Sequence, residues 1–153
     1  MKKTILGCVM AALMVTLLQA EVTISLKSYQ KALKNNKITW VKAKKVIPGT
    51  VVKYVNHINN KGTNTAKNLV VVNDIPKYMT YVRGSAKCKK RCDITFSIDG
   101  GKHFAKPKLL KVRDKKTGKI RKAKLKEYTT VRWELESLKP GQKTTVEYKA
   151  RLR

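Results

Sequence analysis

The sequence predicts an all-β protein, an antiparallel β-sandwich of about eight or nine strands. Apolar residues recur with a period of two along most of the chain, which is typical of strands that bury one face. Turn residues such as Asn-Asn, Pro-Gly and Asp-Gly-Gly separate these runs at short intervals. After residue 20, no long stretch has the 3.6-residue period of an amphipathic helix. Many short strands divided by turns favour a sandwich.

The first twenty residues are predicted to be a signal peptide. Lys2 and Lys3 precede an apolar run over residues 5–18, which is too short to span a bilayer comfortably. The small residue Ala20 suits cleavage at that point, so we expect residues 21–153 to form one exported domain, periplasmic or on the cell surface. Two alternatives are an uncleaved anchor and lipid attachment at Cys8.

The first half of the domain is predicted to contain strands at 22–33, 38–41, 50–58, 66–72 and 79–82. Alternation over 22–26 indicates that Val22, Ile24 and Leu26 form one half-buried face, and Asn35-Asn36 predicts a hairpin turn. The unbroken apolar run over 69–72 indicates a strand buried on both faces near the middle of a sheet. Pro76 cannot donate a ladder hydrogen bond, so a corner is expected there.

The second half is predicted to contain strands at 94–98, 109–112, 131–135 and 146–152. Turns are expected at 99–101 and 139–142, a polar tip at 114–119, and one helical turn within 123–128. Trp133 is in phase with Val131 and Leu135, which favours a place in the core. The pattern leaves open whether Trp40 is buried or exposed.

Two cysteines follow the predicted signal peptide. Cys88 and Cys92 have the spacing Cys-Lys-Lys-Arg-Cys, and two thiols this close should pair in an oxidising compartment. A structural disulfide is the first interpretation. A redox-active pair is an alternative, because the intervening basic residues would stabilise a thiolate. A zinc site would need His57 and His103 as further ligands, at no recognised spacing.

The chain has a formal net charge of +27. Most of the basic residues are lysine, 29 against 7 arginines, and lysine acts as a hydrated point charge where arginine makes bidentate contacts. Such a surface attracts polyanions through counterion release without reading a sequence. The alternative is that the charge only keeps the protein soluble. We single out as candidate polyanion-binding residues Lys87, Lys89, Lys90, Arg91, Lys115, Lys116, Lys119, Arg121 and Lys122.

Several blocks of the sequence, taken in order, resemble a bacterial family of conserved repeat domains, domain of unknown function eleven. The blocks are VIPGTVVKY (46–54), NNKG (59–62), TAKNLVVVNDIP (65–76), MTYV (79–82), FSIDGGKHF (96–104), YTTVRW (128–133) and LKPGQ (138–142). Together they cover about residues 40–153. The resemblance implies an immunoglobulin-like β-sandwich in exported or surface proteins, and it implies no active site.

The sequence offers no catalytic signature. It lacks Gly-x-Ser-x-Gly, His-Glu-x-x-His and a phosphate-binding loop, so we predict a non-enzymatic protein with no cofactor, no metal and no small-molecule substrate. Asp93, Asp99 and Asp114 lie among lysines and are interpreted as turn residues rather than calcium ligands. We expect weak electrostatic binding to anionic envelope polymers or lipid headgroups. The alternatives are an extracellular nucleic-acid-binding protein and a redox protein that uses Cys88 and Cys92.

Overall fold

The computed structural model describes residues 21–153, which fold into an antiparallel β-sandwich with an additional two-stranded hairpin. The predicted signal peptide, its cleavage after Ala20 and the alternative at Cys8 lie outside the described residues. The all-β, antiparallel prediction is confirmed. Two antiparallel sheets packed face to face are the architecture that immunoglobulin-like domains share.

Eleven strands and one 3-10 helix make up the described residues. In chain order they are β1 (Val22–Lys34), β2 (Lys37–Lys42), β3 (Val51–Asn60), β4 (Ala66–Asp74), β5 (Met79–Tyr81), β6 (Lys87–Cys88), β7 (Cys92–Ser97), β8 (Lys111–Arg113), β9 (Ile120–Lys122), the 3-10 helix (Leu125–Glu127), β10 (Thr130–Leu138) and β11 (Lys143–Leu152). The structure has two strands more than the nine stretches predicted above, because β6 and β9 are too short to show an alternating pattern.

The two sheets differ in width. The large sheet has the order β2-β1-β3-β11-β5, with β6 also paired to β11, and the small sheet has the order β4-β10-β7. Within residues 21–153, strands β8 and β9 pair only with each other. The last two long strands lie in the interior of different sheets: β10 between β4 and β7, and β11 between β3 and β5. The end of the chain therefore supplies a central strand to each sheet.

The core lies between these two central strands. Val131, Trp133 and Leu135 of β10 and Val146 and Tyr148 of β11 are at most 2% exposed. The rings of Trp133 and Tyr148 meet across the sheets with centroids 6.1 Å apart. The predicted burial of Trp133 is therefore confirmed. The alternate residues Val131, Trp133 and Leu135 form the side of β10 that faces the large sheet.

The hairpin between β1 and β2 has the predicted turn. Asn35 and Asn36 have φ angles of +51° and +57°, and Lys34 pairs with Lys37 across them. Asparagine tolerates this left-handed region better than most residues, and two such residues match the right-handed twist of the flanking strands. The other predicted corner is also present, since β4 ends at Asp74 and β5 begins at Met79, on either side of Pro76.

Two predictions about burial are wrong. Ile24 and Leu26 of β1 pair with Ile58 and Asn56 on the core-facing side of the large sheet, yet they are 49% and 55% exposed. The three-stranded small sheet is too narrow to cover the six-stranded large sheet, so this end of β1 stays open. Among the described strands, β4 is at the edge of the small sheet and pairs only with β10. Val70 and Val72 are therefore about half exposed rather than covered by a second layer.

Candidate functional site

The outer face of the large sheet carries a row of basic and aromatic side chains. Tyr29 of β1 pairs directly with Lys42 of β2 and with Lys53 of β3, and Lys53 pairs with Lys149 of β11. Directly paired residues of antiparallel strands point to the same side of a sheet. Since Val52, Tyr148 and Ala150 face the core, this row faces away from it.

Trp40 lies next to the row, within a group of three ammonium groups. The Nζ atoms of Lys53, Lys149 and Lys31 lie 4.7, 5.3 and 5.8 Å from the centroid of its ring. Lys53 also lies 5.6 Å from the ring centroid of Tyr29. Cation–π attraction to the indole holds these lysines together in spite of their mutual repulsion. Trp40 is therefore half-buried on the surface, which decides the question that the sequence left open.

We call this outer side of the large sheet the basic face. By strand register its charged residues are Lys27, Lys31, Lys42, Lys53, Lys87, Lys143, Lys149 and Arg151, with Glu147 as the acid. The ion pairs found within residues 21–153 use other acids, in loops, in the β8–β9 hairpin region and on the small sheet. The positive charge of the basic face is thus left largely uncompensated.

One of the two basic clusters predicted from the sequence joins this face. Lys87 of β6 pairs with Glu147, and the backbone N–H of Lys89 donates to the carbonyl of Thr145, both on β11. The ammonium of Lys90 donates to Oε1 of Gln142 at 2.6 Å. Arg91 follows in the same exposed loop. The loop therefore extends the basic face along the far edge of the large sheet.

The second predicted cluster is on the β8–β9 hairpin and its turn, where Lys115, Lys116, Lys119 and Lys122 are exposed. Arg121 differs from them because its guanidinium donates to both carboxylate oxygens of Glu127, at 2.7 and 2.8 Å, and to Asp114 at 3.2 Å. The guanidinium, aided by the backbone N–H of Lys124, lowers the pKa of Glu127 to about 2. Arg121 thus links the hairpin to the 3-10 helix, and its charge is locally neutralised.

Cys88 and Cys92 are joined by a disulfide, with their Cα atoms 6.3 Å apart. Cys88 ends β6 in the large sheet and Cys92 begins β7 in the small sheet, and both side chains pack against the core. The bond therefore connects the two sheets at the edge where the chain passes from one to the other. This position accounts for the pair as a structural element.

The histidines and aspartates that the sequence raised as metal ligands have other partners or stand apart. His103 Nδ1 lies 2.6 Å from a carboxylate oxygen of Asp99, and Asp93 bonds to the ammonium of Lys106. Asp114 accepts the backbone N–H groups of Lys116 and Thr117, as a turn residue does. Among residues 21–153, no three histidine, cysteine or acidic side chains come together as metal ligands would.

Most of the basic face, apart from the predicted Lys87, was missed from the sequence because its central lysines are isolated in the chain. Lys53 and Lys149 each occupy a polar position of an alternating strand, where a single charge is ordinary. One feature of the sequence could have indicated the basic face: lysine, rather than serine or threonine, recurs at the polar positions of these strands. Only the pairing of the strands shows that these positions are neighbours.

Comparison with known proteins gives no match: no family model matches the chain, and neither a curated protein nor a solved structure is significantly similar to it. Over the residues that the structure describes, no helix has the length and apolar character needed to cross a bilayer.

Proposed function

We propose that this protein is a non-enzymatic, exported module of the cell envelope or cell surface that binds anionic envelope polymers through its basic face. The observation that carries the proposal is the cross-strand row of Lys42, Lys53 and Lys149, with Lys31 and Trp40 beside it. The resemblance to the conserved repeat domain family supports the exported location.

The chemistry of the basic face suits binding without a defined sequence. Lysine ammonium groups attract phosphate and carboxylate groups as point charges, and each neutralised charge releases a counterion from the polymer. The open face of the large sheet offers a surface along which an extended chain can lie. The ligands that fit are lipopolysaccharide phosphates, anionic lipid headgroups and acidic surface polysaccharides.

A second candidate is binding of extracellular single-stranded nucleic acid. It is favoured by Tyr29 and Trp40, because aromatic rings between basic residues are stacking platforms for bases. Against it, the face contains mostly lysine, whereas arginine is the residue for bidentate contacts with phosphates and bases. The lysines over the indole would also have to move before a base could stack on it.

The test compares two charge-matched double variants. Lys53→Gln with Lys149→Gln removes the centre of the basic face, and Lys115→Gln with Lys116→Gln removes the same charge from the β8–β9 turn. Binding to lipopolysaccharide, heparin and single-stranded DNA is measured across a salt series. We expect the first variant to reduce the steepness of the log–log salt dependence by about two phosphate contacts, a slope change of roughly 1.4 for single-stranded DNA. The second should change it less.

If both double variants lost the same amount of polyanion affinity and salt dependence, net charge alone would govern binding. That result would overturn the role of the basic face. A preference for DNA that Trp40→Ala abolishes would establish the nucleic-acid function instead, since stacking contributes about 1–3 kcal/mol per base. Indifference to the polyanion offered supports the envelope-polymer proposal.

A further inference from the structure

A cavity of about 250 Å³ opens where β5, β7 and the 3-10 helix meet. Its walls include Tyr81, Phe96 and Tyr128, whose ring centroids lie 4.9, 5.7 and 5.2 Å from one another in pairs. Ile94 and Leu125 add aliphatic surface. The three rings are each at most 5% exposed, so the aromatic wall of the cavity belongs to the packed core.

A second cavity of about 520 Å³ adjoins the first and shares Arg83, Leu125 and Tyr128 with it. This one is lined by Lys122, Lys124 and Lys126, and no acidic side chain lines either cavity among the residues that the structure describes. An apolar recess therefore opens into a cationic one. Their junction is at Arg83 and Tyr128.

The polar groups at the junction have no partners within residues 21–153. Arg83 is exposed and makes no ion pair or hydrogen bond there, and the hydroxyl of Tyr128, a residue only 5% exposed, makes no hydrogen bond. By contrast, the Tyr81 hydroxyl accepts the backbone N–H of Ala86 at 3.0 Å. Burial raises the pKa of Tyr128, with Arg83 acting against that shift, so the hydroxyl keeps its proton at neutral pH. A guanidinium and a hydroxyl donor therefore stand together without an acceptor.

We propose that these two cavities form a binding site for an anionic amphiphile. Its alkyl or aromatic part occupies the recess of Tyr81, Phe96 and Tyr128, and its carboxylate or phosphate accepts hydrogen bonds from Arg83 and the Tyr128 hydroxyl. The smaller cavity has about eight times the ~30 Å³ that one water occupies in the liquid, which suits a short alkyl segment or a single ring. The lysines of the larger cavity surround the headgroup.

The test is an NMR titration of the purified protein with four probes: octanoate, octyl phosphate, octanol and acetate. Octanoate represents a free carboxylic acid, and octyl phosphate represents the headgroup of a lipid. We expect both to shift the resonances of Tyr81, Phe96 and Tyr128, and the stronger of the two identifies the source. Octanol lacks the charge and acetate lacks the chain, so each should bind at least about tenfold more weakly.

Variants at the junction separate the two halves of the proposal. Arg83→Gln should weaken octanoate or octyl phosphate binding about tenfold without changing the fold, and Arg83→Lys should restore part of it. Lys37→Gln, at the exposed β1–β2 turn, removes the same charge and should leave binding unchanged. Ala86→Phe, which fills the recess, should abolish binding of the alkyl chain.

The proposed site would be overturned if octanol bound as tightly as octanoate. It would also be overturned if the Arg83→Gln variant bound the anionic probes as tightly as the wild type does. This outcome is separate from that of the basic face, because Lys53→Gln with Lys149→Gln should leave amphiphile binding intact.

Discussion

A one-atom exchange at Asn60 tests how the two sheets are held together. Asn60 ends β3, is fully buried, and donates from Nδ2 to the carbonyls of Leu138 and Asn64, at 2.8 Å each. Its Oδ1 accepts the backbone N–H of Gly62 at 3.0 Å. Asn60→Asp keeps the shape of the side chain and replaces the NH₂ donor by an oxygen that faces two carbonyls. Both donated bonds are lost, and the buried charge keeps the N–H of Gly62 as a donor but faces two carbonyls.

The magnitude follows from these contacts. Two lost hydrogen bonds cost about 2 kcal/mol, and an unpaired buried charge adds roughly 3 kcal/mol. We therefore expect Asn60→Asp to lower the free energy of unfolding at pH 7 by about 5 kcal/mol, which is the whole stability of a marginal domain. Burial and the facing carbonyls should raise the pKa of the introduced carboxyl in the folded state above its unfolded value of about 3.9.

The sign of the pH dependence follows from this shift. The folded variant binds a proton more tightly than the unfolded one, so the deficit is smallest below about pH 3.9 and grows as the pH rises through the raised pKa. Urea denaturation of the variant and the wild type at pH 4 and pH 7 measures both quantities. Asn59→Asp is the matched control, because Asn59 is half-buried on the outer face of the same strand. If the two variants lost equal stability, or if the deficit of Asn60→Asp did not change with pH, the account of this amide would be refuted.

Two further predictions concern the disulfide and the β8–β9 hairpin. Replacing both Cys88 and Cys92 by serine should lower the unfolding free energy by about 2 kcal/mol, as expected for a five-residue loop, and should leave polyanion binding unchanged. If both thiols of the native protein were instead free and rapidly alkylated, the redox alternative would be favoured. Arg121→Ala should move the NMR titration midpoint of Glu127 from about 2 towards the ordinary 4.5, because the guanidinium is the main cause of the low pKa. In the wild type, the contribution of this ion pair to stability is therefore present above pH 4.5 and is lost as the pH falls through about 2, and a midpoint that stays low in the variant would contradict the assignment.

The local sequence pattern was sufficient to predict burial or backbone conformation wherever a residue's environment depends on its own strand or turn. The alternation of Val131, Trp133 and Leu135 predicted a buried face, and the structure confirms it. The Asn35-Asn36 pair predicted a tight hairpin, because few other residues accept two successive left-handed conformations. In such places the determining interactions are within a few residues in the chain, so the sequence carries them directly.

Tertiary structure alone decided which strands lie at an edge and which surface charges are neighbours. The apolar composition of residues 69–72 predicted a strand in the middle of a sheet, but among the described strands β4 has a partner on one side only. Lys53 and Lys149 are far apart in sequence and adjacent in space, because the register of β3 with β11 places them opposite each other beside Trp40. The sequence by itself determined an all-β chain with a high positive charge. Strand order and register, which depend on long-range pairing, decided that eight of the basic residues share one sheet face and that an apolar recess opens beside Arg83.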